Sequence, residues 1–244
     1  FWHIPWPYPD RLRICRWHRE ILEGLVANDL LAFQLERDRR NFLLAMENEP
    51  GAEIEADGAR IHFDGHSTTV LSVPIGVDYD RIQAVSQDPA LVGEQQRLTG
   101  AFELRAPILG IGVDRLDYTK GIPERLAALD GILTRRPDLR GKLTFVQIGV
   151  PSRSELESYS AIEMEIDKKV AELNVRHAVR GLPPPIYYYK TALKLPSLVA
   201  LYRLAHFCIV SSLHDGMNLV AKEFVAARDD EDGVLVLSSL AGAA

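Results

Sequence analysis

From Ile108 to the end, short apolar runs alternate with stretches of helical period, and this alternation restricts the fold more than any other feature of the chain. Ile108 to Val113, Lys142 to Val150, His206 to Val210 and Val234 to Leu237 are short and apolar enough for buried strands. Val175 to Val179 is a further, shorter strand candidate. Between them, Pro123 to Arg136, about Ser154 to Leu173, Pro196 to Ala205 and Leu219 to Arg228 read as helices, the first opened by Pro in its first turn. Strands separated by helices build a parallel sheet with helices on its faces, so an α/β, Rossmann-like domain is expected. Ligands of such folds sit beyond the carboxyl ends of the strands.

The chain before this is organised differently. Arg13 to Ala27 places Ile14, Ile21, Leu22, Leu25 and Val26 at helical spacing, Leu30 to Phe33 reads as a buried strand, and Glu36 to Met46 as a helix. Glu53-Ile54-Glu55 and Arg60-Ile61-His62-Phe63-Asp64 flank Asp57-Gly58, a strong hairpin signal. Ser72 to Asp78 reads as a strand followed by a break. The expected division is therefore residues 1–75 as one domain and 76–244 as a second.

Composition limits the function. The 244 residues are 47% hydrophobic and 25% charged, enough to bury a substantial core, and carry a net charge of −6. That balance disfavours a nucleic-acid partner, whose phosphates need a basic face. No run approaches the length of a membrane helix, so no membrane partner is expected. Cys15 and Cys208 are far apart, no Cys/His spacing suggests a metal, and a reduced cytoplasmic setting is the default. Cys208, inside Phe207-Cys208-Ile209-Val210, reads as a buried thiol. The chain opens on Phe1 inside what looks like a strand end and stops just after a strand, so it is expected to be part of a longer protein.

Four segments carry candidate chemistry. In Gly110-Ile111-Gly112-Val113-Asp114-Arg115-Leu116-Asp117-Tyr118-Thr119-Lys120-Gly121, a strand runs out into Arg115 and Lys120 before a helix. Two cations at a strand-to-helix turn can hold a diphosphate; equally, Arg115 could pair with Asp114 or Asp117 and Lys120 be solvated. In His214-Asp215-Gly216-Met217-Asn218-Leu219-Val220-Ala221-Lys222-Glu223, Gly216 frees a turn whose amides at Met217, Asn218 and Leu219 could meet one ligand. Asp215 could accept sugar hydroxyls and Glu223 a ribose diol, or Asp215 could cap and Glu223 form a salt bridge. His3, among aromatics and prolines, is either a packed histidine or a ligand contact, and Arg153 at another strand exit reads as solvated.

Taken together, His3-Ile4-Pro5-Trp6-Pro7, Asp29 to Gln34, Pro74 to Val77, Val113 to Gly121 and Asp215 to Glu223 resemble, in order, the trehalose-6-phosphate synthases, retaining glycosyltransferases of family 20. The resemblance implies a GT-B fold, two Rossmann-like domains facing across a cleft, with residues 1–75 the later part of an incomplete N-terminal domain. It implies transfer of glucose from UDP-glucose, or a related nucleotide-glucose, to glucose 6-phosphate. A sister reading keeps the machinery and uses glycerol 3-phosphate; a non-catalytic family member that binds sugar phosphate is a third. By motif, Arg115 and Lys120 would neutralise the donor diphosphate, and Asp215 with the Gly216, Met217 and Asn218 amides would contact the donor glucose. Leu219 and Val220 would lie along the diphosphate and nucleoside, and Glu223 would hold the ribose. His3 would contact the transferred glucose, Arg153 the acceptor phosphate, and Arg203 would border the uracil. The resemblance implies no cofactor and no metal, with the nucleotide-sugar donor and the sugar-phosphate acceptor as partners, homo-oligomerisation being left open.

Overall fold

Trp6 packs edge-on against Phe33 and Phe42, with ring centroids 5.9 Å and 5.1 Å away, and this cluster anchors the core of the first part of the chain. The computed structural model describes residues 4–151 and 157–243. By their contacts the residues form two units, Phe1–Ile75 with Asp215–Met217, and Gly76–His214 with Asn218–Ala244.

In the first unit α1 (Pro9–Leu12) and α2 (His18–Val26) replace the single helix expected from Arg13 to Ala27. The chain turns between them, where Cys15 O receives the His18 amide and lies 2.9 Å from His18 Nδ1. Ile14, counted in the periodic pattern, is 84% exposed and never joins the apolar face. β1 (Leu30–Phe33) and α3 (Glu36–Met46) form where expected, but β1 is not the buried strand that its apolar run suggested, Leu30 and Ala32 being exposed and Leu31 and Phe33 half-buried. α3 buries Phe42, Leu43, Ala45 and Met46 along one face. β2 (Glu53–Ile54) and β3 (Arg60–Phe63) make the expected antiparallel hairpin, with Gly58 at φ 65° and Asp57 Oδ1 accepting from Ala59 N at 2.8 Å.

β4 (His66–Ser72) corrects the reading of Ser72 to Asp78: the strand ends at Ser72 instead of beginning there. Its polar start, His66-Ser67-Thr68-Thr69, hides it from an apolar scan. Thr68 is nevertheless buried, donating its hydroxyl to Val26 O at 2.6 Å. β3 and β4 are joined by Asp64-Gly65, both at positive φ (47° and 75°), a two-residue turn that the sequence advertises in the same way as Asp57-Gly58. The sheet order is β1-β4-β3-β2, with β1 and β4 parallel.

The second unit opens with two helices that the sequence reading left unassigned, α4 (Tyr79–Ser86) and α5 (Ala90–Ala101). Asp78 caps α4 through Arg81 N; α5 carries Gly93 and Gly100, which blur its pattern. There follow β5 (Ile108–Arg115), α6 (Ile122–Arg135), β6 (Leu143–Val150), α7 (Glu157–Arg176), β7 (Ile186–Tyr189), α8 (Leu195–Leu204), β8 (Phe207–Val210), α9 (Leu219–Ala226) and β9 (Val234–Leu237). The strands form one parallel sheet in the order β7-β6-β5-β8-β9. One face is covered by α4, α5, α8 and α9 around Leu98, Ile111, Val199 and Phe224; the other by α6 and α7 around Leu126, Leu129, Phe145 and Ile166. Cys208 is buried among the first set, as expected, and burial pushes its thiol up to about 12.

The strand proposed at Val175 to Val179 is not found. Val175 belongs to the last turn of α7, and His177 is buried against Asp130 of α6, Nε2 to Oδ1 2.7 Å. The fifth strand is instead Ile186 to Tyr189, aromatic in composition and preceded by three prolines, the last of which accepts from Phe145 N at 2.8 Å. Among the described residues no helix is long and apolar enough to cross a membrane. Because Phe42 is fully buried at the centre of the aromatic cluster, Phe42→Ala is expected to lower stability by about 3–5 kcal/mol in urea unfolding followed by Trp fluorescence.

Candidate functional site

The order β7-β6-β5-β8-β9 means that the chain moves outward from β5 in one direction, then returns to β8 and moves outward in the other. The switch point lies between β5 and β8. There the helix after β5 covers one face of the sheet and the helix after β8 covers the other, so the two strand exits diverge. The pairing shows the divergence: β5 is matched to β6 over its whole length but to β8 only at Gly110 and Ile111. The two exits are the two glycine-containing segments singled out in the sequence.

Their geometry is held by backbone. Leu213 N donates to Thr119 O at 2.7 Å and His214 N to the same oxygen at 3.4 Å. Ser211 Oγ lies 3.1 Å from Lys120 O and 2.8 Å from Gly121 O. Asp117 accepts from Thr119 N and Oγ1 at 2.9 Å and 2.8 Å, closing a short 3₁₀ turn over Tyr118–Lys120. Gly121 then takes φ 63°, and a Cβ there would collide with the Ser211 carbonyl, so glycine is required twice over.

Below these loops lies a buried polar group. Arg125 of α6 crosses the sheet edge and donates from Nη1 to Asp114 Oδ2 at 2.6 Å and to Gln147 Oε1 at 2.8 Å, and from Nε to Ser211 Oγ at 3.0 Å. Both side chains of the ion pair are almost completely shielded from water. A Cβ at Gly112 would lie 2.8 Å from Gln147 Oε1 and strike the guanidinium, so that glycine makes room for the arginine. This settles one alternative. Asp114 pairs with Arg125 and Asp117 with Thr119, and among the described residues neither carboxylate pairs with Arg115, which is exposed at the end of β5. Lys120 is half-buried in the adjoining turn.

On the β8 side, Asn218 caps α9 by accepting from Ala221 N at 2.9 Å. That uses one first-turn amide and leaves those of Leu219 and Val220 without intrahelical partners, at the end of a helix whose dipole favours an anion. The partly buried Val220 side chain packs on the core. Glu223, one turn further, is half-buried and accepts from Tyr202 Oη at 3.1 Å. Burial holds its carboxyl above the ordinary value, and the tyrosine hydrogen bond works in the opposite direction.

Arg115, Lys120, Asn218, Leu219, Val220 and Glu223 thus belong to one unit, on the two exits of the switch point. Asp215, Gly216 and Met217 are grouped with the first unit; Asp215 and Gly216 are buried and Met217 is half-buried. His3 and Arg153 lie outside the described residues. Arg203 lies in the last turn of α8, which runs antiparallel to the strands, so it is at their amino ends and pairs there with Asp229 and Ala227 O. The sequence reading passed over Arg125, Gln147 and Ser211; Arg125, a charged residue on the apolar face of α6, was the visible signal. Among the described residues no group of three or more His, Cys, Asp or Glu is gathered as a metal site.

Three comparisons bear on this arrangement. The family model of Glycosyltransferase family 20 matches residues 1–244. The bifunctional trehalose-6-phosphate synthase/phosphatase of Thermoproteus tenax is 39% identical over 246 residues, an alignment that covers 100% of this chain and 33% of that protein. A crystal structure of an alpha,alpha-trehalose-phosphate synthase (UDP-forming) from Burkholderia xenovorans in complex with glucose-6-phosphate superposes with a TM-score of 0.91 at 38% identity, covering 98% of this chain and 53% of that one. The E. coli structure bound with UDP-2-fluoro glucose gives a TM-score of 0.90 at 33% identity, covering 98% and 52%. The chain therefore spans a third of the first relative and about half of each solved structure. Its fold class is the α/β, GT-B type that the sequence led one to expect.

Two outcomes follow from the geometry. Arg125→Met strands the buried Asp114 charge and is expected to cost about 3–5 kcal/mol in denaturant unfolding, while adding Asp114→Leu recovers most of that loss. For Glu223, a raised folded-state value means that the folded chain binds the proton more tightly than the unfolded chain. The associated stability is present below the ordinary carboxylate range and is lost as pH rises through the raised value. Glu223→Gln should therefore gain stability relative to the parent as pH rises from about 4 to about 8, read by thermal unfolding.

Proposed function

Because the chain belongs to glycosyltransferase family 20, we propose that it is the nucleotide-sugar-binding part of a retaining glucosyltransferase that moves glucose from UDP-glucose to glucose 6-phosphate, giving trehalose 6-phosphate. The observation that carries the proposal is the joining of the Lys120 turn to the loop before α9 through Thr119 O and Ser211 Oγ at the switch point of the sheet. It gathers Arg115, Lys120 and the α9 amides on one edge, the kind of place where a diphosphate is held. The E. coli relative bound with UDP-2-fluoro glucose supports the donor, and the Burkholderia relative in complex with glucose-6-phosphate supports the acceptor.

In this reading the bond between glucose C1 and the diphosphate oxygen breaks as the bond from an acceptor hydroxyl oxygen to C1 forms on the same face of the sugar. The acceptor proton passes to the departing phosphate oxygen. Negative charge grows on the diphosphate as positive charge grows on the sugar, and Arg115, Lys120 and the amides of Leu219 and Val220 stabilise the former. Fixed donors that need no reorganisation do this far better than water. The cations take the part that a metal ion plays in other transferases, so the reading needs no metal, and no carboxylate nucleophile. Asp215 is a positioning group for the donor sugar, and Glu223 accepts from the ribose hydroxyls. His3 and Arg153 keep the roles that the resemblance implies, against the transferred glucose and the acceptor phosphate.

The full-length protein is the material for the test. With UDP-glucose and glucose 6-phosphate it is expected to release UDP and form trehalose 6-phosphate, and Arg115→Ala or Lys120→Ala to lower kcat by about 10²- to 10³-fold. Release with glycerol 3-phosphate alone would move the assignment to the other acceptor. Absence of UDP binding would overturn the donor site.

A further inference from the structure

Tyr202 of α8 is fully buried, its ring edge-on to Phe224 of α9 with centroids 5.9 Å apart. For packing alone a phenylalanine would fill the same space without bringing a hydroxyl out of water. A buried phenol needs a partner, and the partner here is Glu223, whose Oε2 accepts from Tyr202 Oη at 3.1 Å. Among the described residues, nothing donates to the other carboxylate oxygen, Oε1. The hydrogen bond joins two helices, α8 and α9, on the same face of the sheet, so it fixes the rotamer of a side chain that would otherwise be free to turn.

We propose that Tyr202 is a positioning residue for the donor site: its hydroxyl holds Oε2 of Glu223 and so presents Oε1 as the acceptor for the ribose diol. This rests on the donor reading above and deepens it. A ribose offers two neighbouring O–H donors, and of the two forms of the Glu223 carboxyl it is the ionised one that accepts from both without offering a proton of its own. The tyrosine donor favours that form, whereas burial disfavours it. Other groups near Glu223 leave this balance to Tyr202. Cys208 on β8 is kept protonated by burial, and Asp114 on β5 is paired with Arg125. β9 is wholly apolar. α4 bonds to the end of α9 through neutral Gln83 and Ser86, its Tyr79, Asp80 and Arg81 being exposed. Arg203 on α8 pairs with Asp229, and Lys222 lies on α9 itself.

The test is calorimetric titration of UDP into the full-length protein across the acid range, for the parent, Tyr202→Phe, Glu223→Gln and the double variant, with thermal unfolding as a check that each is folded. Tyr202→Phe keeps the ring packing and is expected to weaken UDP binding by roughly 3- to 10-fold near neutral pH. It should also move the fall in affinity on acidification to higher pH, since Glu223 loses the donor that lowers its proton affinity. Glu223→Gln should flatten that fall, and the double variant should bind no worse than Glu223→Gln alone. If Tyr202→Phe leaves both the affinity and the acid limb unchanged while Glu223→Gln weakens binding, the positioning role is overturned and the donor reading stands. If the parent binds no UDP, or Glu223→Gln binds it as the parent does with the same pH dependence, the donor reading of Glu223 fails and this inference with it.

Discussion

Arg125 sits where α6, β5, β6 and the loop after β8 meet, and its guanidinium is shared by Asp114, Gln147 and Ser211. Burying such a pair is costly, and replacing it with apolar residues of similar volume often does no harm to stability. What it supplies here is position. Ser211, held from below by Arg125 Nε, reaches Lys120 O and Gly121 O, so the same cation that neutralises Asp114 fixes the turn that carries Lys120. Gly112 and Gly121 are the steric counterpart of that arrangement, one admitting the guanidinium and the other the Ser211 carbonyl.

The charge pattern follows. With Asp114 satisfied beneath the sheet edge and Asp117 turned onto Thr119, both carboxylates nearest Arg115 in sequence are occupied by other donors. These two acidic residues therefore serve the framework and do not pair with Arg115. The α9 dipole favours an anion, and its cap, Asn218, is neutral and so does not oppose it. In the proposed reading, a chain with net charge −6 offers a diphosphate a local edge of donors in this way.

Much of the framework was legible in the sequence because its signals are local. The strands at Ile108, Leu143, Phe207 and Val234 announce themselves as apolar runs, and Asp57-Gly58 announces its hairpin. The errors share a cause. β4 begins with four polar residues, one of which, Thr68, is buried only because Val26 O receives its hydroxyl. β7 is a strand because Pro185 and its neighbours bring Tyr-rich backbone alongside β6, whereas Val175, apolar and β-branched, stays in α7 and is exposed. In each case a partner distant in sequence decides, and periodicity contains no record of it.

By itself the sequence determined the class of fold, the order of most elements, the two strand-to-helix turns and the family to which the chain belongs. These depend on patterns within a few residues or on motifs read in order. The tertiary structure alone decided that Arg125 is committed to the core while Arg115 is exposed at the end of β5, that Arg203 lies at the amino ends of the strands, and that Tyr202 meets Glu223. Those outcomes depend on which direction a helix runs against the strands and on hydrogen bonds between residues 11 to 86 positions apart. Such distances are closed only when the sheet has formed, because burial then leaves each polar group no choice but the partner beside it.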